Sequence, residues 1–183
     1  METYIALLRG INVSGQKMIP MDGLKTLFGK LGFTEVTSFI QSGNLIFQEK
    51  KAEDSLTLSK RIHKAIQKSY GFEVPVQIRT RDQLREIIQT NPFLKARGID
   101  PKKLHTTFLA QVPDSEKRDA LQKIRFDADQ FRITGSEVYL YCPLGYGNSK
   151  VTNAFFENKL GVQATTRNWN TVQSLYRLAN PKI

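Results

Sequence analysis

The feature that most restricts this chain is the order of its apolar runs. Thr3 to Leu8 is a short, nearly continuous apolar run, the pattern of a buried strand. After a glycine-containing loop, Pro20 suits the first turn of a helix, and Met21, Leu24, Leu27, Phe28 and Leu31 recur at helical spacing up to Gly32. Glu35 to Ile40 and Leu45 to Gln48 read as strands, joined by Gln41-Ser42-Gly43-Asn44, whose Gly and Asn tolerate the positive φ of a tight hairpin. Asp54 to Tyr70 places Leu58, Ile62, Ala65 and Ile66 on one stripe, with Lys60, Arg61, Lys64 and Lys68 mainly elsewhere on the wheel, and Gly71 stops it. Val74 to Arg79 alternates as a strand, with Pro75 pointing to a sheet edge. This β-α-β-β-α-β order predicts a four-stranded antiparallel sheet with both helices on one face.

The second half repeats the plan. Thr80-Arg81-Asp82-Gln83 has the form of a capping box, opening a helix that ends at Asn91-Pro92. An irregular connector leads to Lys103. Then follow a strand over Leu104 to Gln111, a helix over Ser115 to Ile124, strands over Gln130 to Thr134 and Glu137 to Cys142, a helix from Ser149 to Leu160, a short strand around Val162 to Thr165 and a last helix. The expected fold is α+β, two ferredoxin-like lobes with antiparallel sheets plus an extra C-terminal helix. Residues 1–80 form the first lobe, and residues 81–183 hold a linker helix and the second. The halves share a plan without sharing residue-level identity.

Composition narrows the environment. The start METYIALLRG has no basic n-region, and its apolar run is too short for an export signal. Nowhere do about 18 apolar residues run together, as a bilayer span needs, so no membrane association is expected. Cys142 is the sole cysteine, which excludes an intrachain disulfide and fits a reducing cytoplasm. Lys and Arg outnumber Asp and Glu 27 to 17, a net charge of +10. That excess favours anionic partners, though it is spread along the chain as on any well-solvated basic surface.

Three segments carry candidate chemistry. In the loop Arg9 to Lys17, Gly10 and Gly15 let backbone amides turn toward a ligand, and Arg9 and Lys17 supply charge, as in an anion cradle. Its spacing matches neither a dinucleotide fingerprint nor a Walker loop, and a plain strand-to-helix connector uses glycine in the same way. In Gly145 to Lys150, two glycines, the Ser149 hydroxyl and the Lys150 ammonium before a helix suit a phosphate; alternatively Ser149 only caps that helix. In Thr165 to Asn170, Arg167, Asn168 and Trp169 adjoin, a combination suited to stacking or anion capture. The favoured reading of Trp169 is a core anchor, and Asn170 with Gln173 resembles a capping box. His63, His105 and Cys142 lack local base partners, and Cys142 reads as a small buried hydrophobe. Carboxylates do not cluster, so neither a metal nor a cofactor is expected. Tyr139 and Tyr141 alternate onto one strand face as RNA-stacking residues would, or as interior packing.

The blocks ALLRGINVSGQ, FIQSGNLIF, Asn91-Pro92-Phe93, GYGNSK and TTRNWNTVQSL resemble the bacterial family catalogued as domain of unknown function 1697. That resemblance spans nearly the whole chain. It implies paired ferredoxin-like lobes and no assigned activity. It singles out Arg9, Gly10, Asn12, Gly15, Gln41, Ser42, Gly43, Asn44, Ser149, Lys150, Arg167, Asn168, Trp169 and Asn170, while Ser14 stands where glycine or another small residue is expected.

Three functions follow as expectations. The first is binding of a small phosphorylated ligand, or a nucleic-acid end, in an inter-lobe cleft formed by Arg9, Asn12, Lys17, Gln41, Ser42, Asn44, Ser149, Lys150, Arg167, Asn168 and Trp169. The second is an enzyme acting on a phosphate-bearing substrate there, with Lys150 or Ser149 reacting and Arg167 stabilising charge. The third is a single-stranded RNA binder using Tyr139 and Tyr141.

Overall fold

The computed structural model describes residues 1–41 and 43–180. It divides into two compact units, one of Met1–Arg85 with the stretch from Leu175, the other Glu86–Ser174. The fold is α+β with two four-stranded antiparallel sheets.

In the first unit the elements are β1 (Glu2–Leu8), α1 (Met21–Lys30), β2 (Thr34–Phe39), β3 (Asn44–Glu49), α2 (Ser55–Tyr70) and β4 (Val76–Thr80). The sheet order is β2-β3-β1-β4, so β4 is an edge strand, as Pro75 foretold. Alternate residues of β1, Tyr4, Ala6 and Leu8, join Leu24 and Phe28 of α1 and Leu58, Ile62 and Ile66 of α2 in one core. Because those β1 residues share one face of the pleat, both helices lie on that face. Each such leucine or phenylalanine contributes about 1.5–3 kcal/mol by leaving water. Phe33 lies tilted against Phe47 with centroids 4.3 Å apart, and Phe47 meets Phe28 edge-on at 5.3 Å. Arg61, half-buried on α2, spans Glu49 at 3.2 Å and Glu53 at 2.9 Å, lies over the Phe33 ring and donates to the Leu31 carbonyl. It therefore ties α2 to the sheet and to the end of α1.

Helix α3 (Arg81–Thr90) starts at the residue after β4. The capping box is formed as expected: the Thr80 amide donates to Gln83 Oε1 at 2.9 Å, and the Gln83 amide to Thr80 Oγ1 at 3.2 Å.

The second unit runs β5 (Leu104–Leu109), α4 (Ser115–Gln122), β6 (Gln130–Thr134), β7 (Glu137–Tyr141), α5 (Asn153–Leu160), β8 (Ala164–Asn168) and the part of α6 (Trp169–Leu178) up to Ser174, with sheet order β6-β7-β5-β8. Leu109, Leu121, Phe131, Val138, Leu140, Phe156 and Leu160 form its core. Gly135, at φ 59°, makes the two-residue turn between β6 and β7. Two boundaries differ from expectation. Helix α5 begins at Asn153 rather than Ser149, because Thr152 is the residue whose hydroxyl accepts the Phe155 amide. Strand β8 extends to Asn168, which caps α6 by accepting the Thr171 amide at 2.8 Å, a role expected of Asn170.

Candidate functional site

The loop after β1 has an unusual backbone. Positive φ recurs at Gly10, Asn12, Ser14, Gly15 and Lys17, and each non-glycine residue so placed stores about 1–2 kcal/mol. Asn12 makes this possible. Its Nδ2 donates to the carbonyls of Ile19 at 2.9 Å and Gln41 at 3.1 Å, and its Oδ1 accepts the Ile19 amide at 2.7 Å. The side chain thus closes the loop on itself and ties it to the β2–β3 hairpin. Asn44 is likewise structural: fully buried, its Nδ2 donates to the Phe39 carbonyl at 3.1 Å. Lys17 turns its ammonium onto the Glu73 carbonyl at 2.6 Å. Arg9 anchors its backbone on Pro75, with its amide 3.0 Å from the Pro75 carbonyl. Ser42 lies outside the described residues.

Between loop and hairpin is a pocket of about 480 Å³, with Asn12, Met18, Met21 and Asp22 on one side and Ile40 and Gln41 on the other. The first turn of α1 opens beside it. Pro20 holds the N-cap position at φ −58°, ψ 133°, and no side chain caps the turn. Asp114 has nearly the same backbone, φ −53°, ψ 138°, and its carboxylate accepts the Glu116 and Lys117 amides of α4. Asp54 does the same for α2. Among the described residues, α1 is the α-helix that starts with cap geometry and no capping side chain, so its first amides face a concavity with the positive end of the helix dipole behind them. Met18 and Ile40, 59% and 52% exposed, give the rim an apolar lip. Ile40 holds φ 52°, which β-branched residues rarely adopt. Asp22 points its carboxylate to Lys25 at 2.7 Å, which holds the carboxyl below its ordinary value.

In the second unit the Gly145 to Lys150 loop does cradle an anion, but one of its own. Asp129 Oδ2 accepts from the Ser149 hydroxyl at 2.9 Å and from the Lys150 amide at 3.1 Å. Ser149 Oγ accepts the Val151 amide at 3.0 Å. Ser149 thus helps fold the loop, donating to Asp129 and accepting from Val151. Tyr146 stacks 4.9 Å from His105, whose burial lowers its pKa. Cys142 is buried, which pushes its thiol up to about 11, so it is a core residue and no nucleophile.

Trp169 is 1% exposed, the core anchor that was the favoured reading. Asn168 is the α6 cap described above. Arg167 donates from Nη1 to the Thr166 carbonyl at 3.0 Å, and burial pulls its guanidinium down to about 10. Tyr139 corrects the sheet-face stacking expectation: it is 2% exposed, with its hydroxyl 3.0 Å from Thr90 Oγ1, so its ring offers no platform for a base.

Arg9, Asn12, Lys17, Gln41 and Asn44 thus lie in the first unit, and Asn12 and Gln41 meet at one pocket. Ser149, Lys150, Arg167, Asn168 and Trp169 lie in the second. Sequence reading missed Asp129, twenty residues from the serine it binds, and the uncapped start of α1. The one available signal for the latter was the absence of Ser, Thr, Asp or Asn just before Met21.

Two antiparallel sheets in doubled β-α-β-β-α-β order define the structural class. Within that class the chain belongs to the family described as protein of unknown function (DUF1697), whose model matches residues 1–139. The match includes the RGINV and QSGN blocks and ends before GYGNSK and RNWN, a narrower span than the resemblance had implied. No curated protein matches the chain. Its fold is similar to that of the conserved bacterial protein SP0830 from Streptococcus pneumoniae, with a TM-score of 0.76 and 18% identity over 98% of this chain and 99% of that one. Among the described residues no helix is long and apolar enough to cross a membrane.

Proposed function

We propose that this protein binds a small phosphorylated ligand in the pocket between the Arg9–Pro20 loop and the β2–β3 hairpin, and that it works in the reducing cytoplasm. The observation that carries the reading is the uncapped first turn of α1 opening on a cavity of about 480 Å³. Helix N-termini favour anions through unpaired amides and the dipole. The net charge of +10 draws such ligands in. Met18, Met21 and Ile40 offer an apolar wall for the organic part, and methionine sulfur packs well on aromatic rings. The strained backbone from Asn12 to Lys17 supports the same reading, since stored strain clusters at ligand sites.

The test is Pro20→Asp, titrated with nucleoside monophosphates and inorganic phosphate by calorimetry. The new carboxylate occupies the same amides that Asp114 occupies on α4. Affinity should fall at least tenfold while the melting temperature rises by about 2–4 °C, the effect of one added cap on a chain of this size. Asp22→Asn, which removes a carboxylate from the pocket, should tighten binding. Unchanged affinity in Pro20→Asp would exclude the pocket.

A further inference from the structure

The polar side chains lining the α1 pocket divide into those the fold engages and those it leaves free. Asn12 gives its carboxamide to Ile19 and Gln41, and Asp22 holds Lys25. Ser38 and Gln41 stand on the hairpin wall. Among the described residues, neither the Ser38 hydroxyl nor the Gln41 carboxamide has a hydrogen-bond partner. The sheet explains their placement. Ser38 pairs with Leu45 in the β2–β3 ladder, and Leu45 belongs to the core under the helices, so Ser38 shares the helix-covered face and lies beside α1. The backbone of Gln41 is fixed by its carbonyl, which accepts Asn12 Nδ2 at 3.1 Å.

Apolar groups flank the same pocket from two sides. Met18 comes from the loop and Ile40 from the hairpin, and both are more than half exposed. Ile40 is held at φ 52° although half of its surface stays in water. Packing within the chain therefore does not account for the strain, and strain of this kind clusters at ligand sites. The cavity of about 480 Å³ falls within the span of small-molecule pockets, roughly 300 to 1,000 Å³, and has their make-up of apolar walls with a few placed polar groups. It leaves room beyond the phosphate for an organic group.

We propose that this organic group is a nucleobase, so that the pocket takes a nucleoside monophosphate, with the phosphate at the first turn of α1, the base between Met18 and Ile40, and the base edge bonded by Gln41 and Ser38. The assignment rests on phosphate binding at α1 and adds the ligand class to it. A nucleobase is flat, with an apolar face and with donors and acceptors side by side on its edge. A carboxamide presents one donor side and one acceptor side in a single plane, which is why Gln and Asn bond bases bidentately. The Ser38 hydroxyl donates or accepts according to the base, and a thioether packs favourably on a π-system. A plain sugar phosphate leaves Met18 and Ile40 in water, and an acyl phosphate covers Gln41 and Ser38 without giving them partners, a loss of about 1–3 kcal/mol for each stranded group.

The experiment titrates the full chain by calorimetry with ribose 5-phosphate and with the monophosphates of adenosine, guanosine, cytidine and uridine. At least one nucleotide should bind wild type at least tenfold tighter than ribose 5-phosphate does. Gln41→Leu, at an exposed position where the fold loses no side-chain hydrogen bond, should cut that nucleotide's affinity at least fivefold and leave ribose 5-phosphate within twofold of wild type. Ser38→Ala should narrow the same preference and serves if Gln41→Leu fails to fold. Pro20→Asp should weaken ribose 5-phosphate and the nucleotide alike. If ribose 5-phosphate binds and responds to Pro20→Asp but no nucleotide gains tenfold, the nucleobase assignment falls and phosphate binding at α1 stands. If ribose 5-phosphate fails to bind, or ignores Pro20→Asp, phosphate binding at α1 falls and the assignment with it. A nucleotide preference that survives both Gln41→Leu and Ser38→Ala also overturns the assignment, because the base is then read elsewhere.

Discussion

Asn12 Nδ2 reaches the Gln41 carbonyl at 3.1 Å, and through that bond the loop after β1 is held against the hairpin tip. The same amide bonds Ile19, so the side chain offers two donors to two carbonyls and one acceptor to one amide. Asn12→Asp keeps the shape and the acceptor but sets a carboxylate against both carbonyls. It should cost about 2–3 kcal/mol, the range for stranded polar partners with a charge, read as a lower urea midpoint. An unchanged midpoint would mean that the loop closes without Asn12.

Gly43 follows Gln41 closely and is constrained twice. Its φ is 74°, and a Cβ added there would lie 2.8 Å from Leu8 Cβ and 3.0 Å from Ile11 Cδ1. Its carbonyl also accepts the Leu8 amide at 2.8 Å, so the turn cannot back away. Gly43→Ala should destabilise by about 2–4 kcal/mol, combining overpacking with left-handed backbone strain. Chemical denaturation measures it, and a loss below half that range would show that the hairpin shifts to make room.

The glycine and the asparagine explain why the RGINV and QSGN blocks were legible as a pair, and why their meaning was not. Glycine at turns, helical stripes and alternating strands report local backbone demands, so the order of elements could be read from residues near one another. The capping box from Thr80 to Gln83 was visible for the same reason. What failed depended on distant partners. Ser149 looked like a helix cap because the residue it serves, Asp129, is far away in sequence, and Tyr139 looked like a stacking residue because Thr90, which claims its hydroxyl, sits 49 positions earlier. Ile40 was unreadable in another way, since β-branching argues against the positive φ it adopts. The pocket beside α1 left only the trace of a missing cap.

Asp54 gives the fold a dependence on pH whose sign is set by its hydrogen bonds. Its carboxylate accepts the Leu56 and Thr57 amides and the Thr57 hydroxyl, and the bond from that hydroxyl is the largest cause holding its carboxyl below the ordinary value of 3.8. A carboxyl lowered by folding stabilises the folded state above its unfolded value, and that contribution disappears as pH falls through the folded value. Asn at this position retains a neutral acceptor that does not titrate. Wild type should therefore melt above Asp54→Asn at pH 6, and the gap should close progressively between about pH 4 and pH 2, where the carboxylate protonates. Melting temperatures of both proteins across that interval check it. A constant gap would show that the charge on Asp54 adds nothing to the start of α2 and that an acceptor oxygen alone supports the helix.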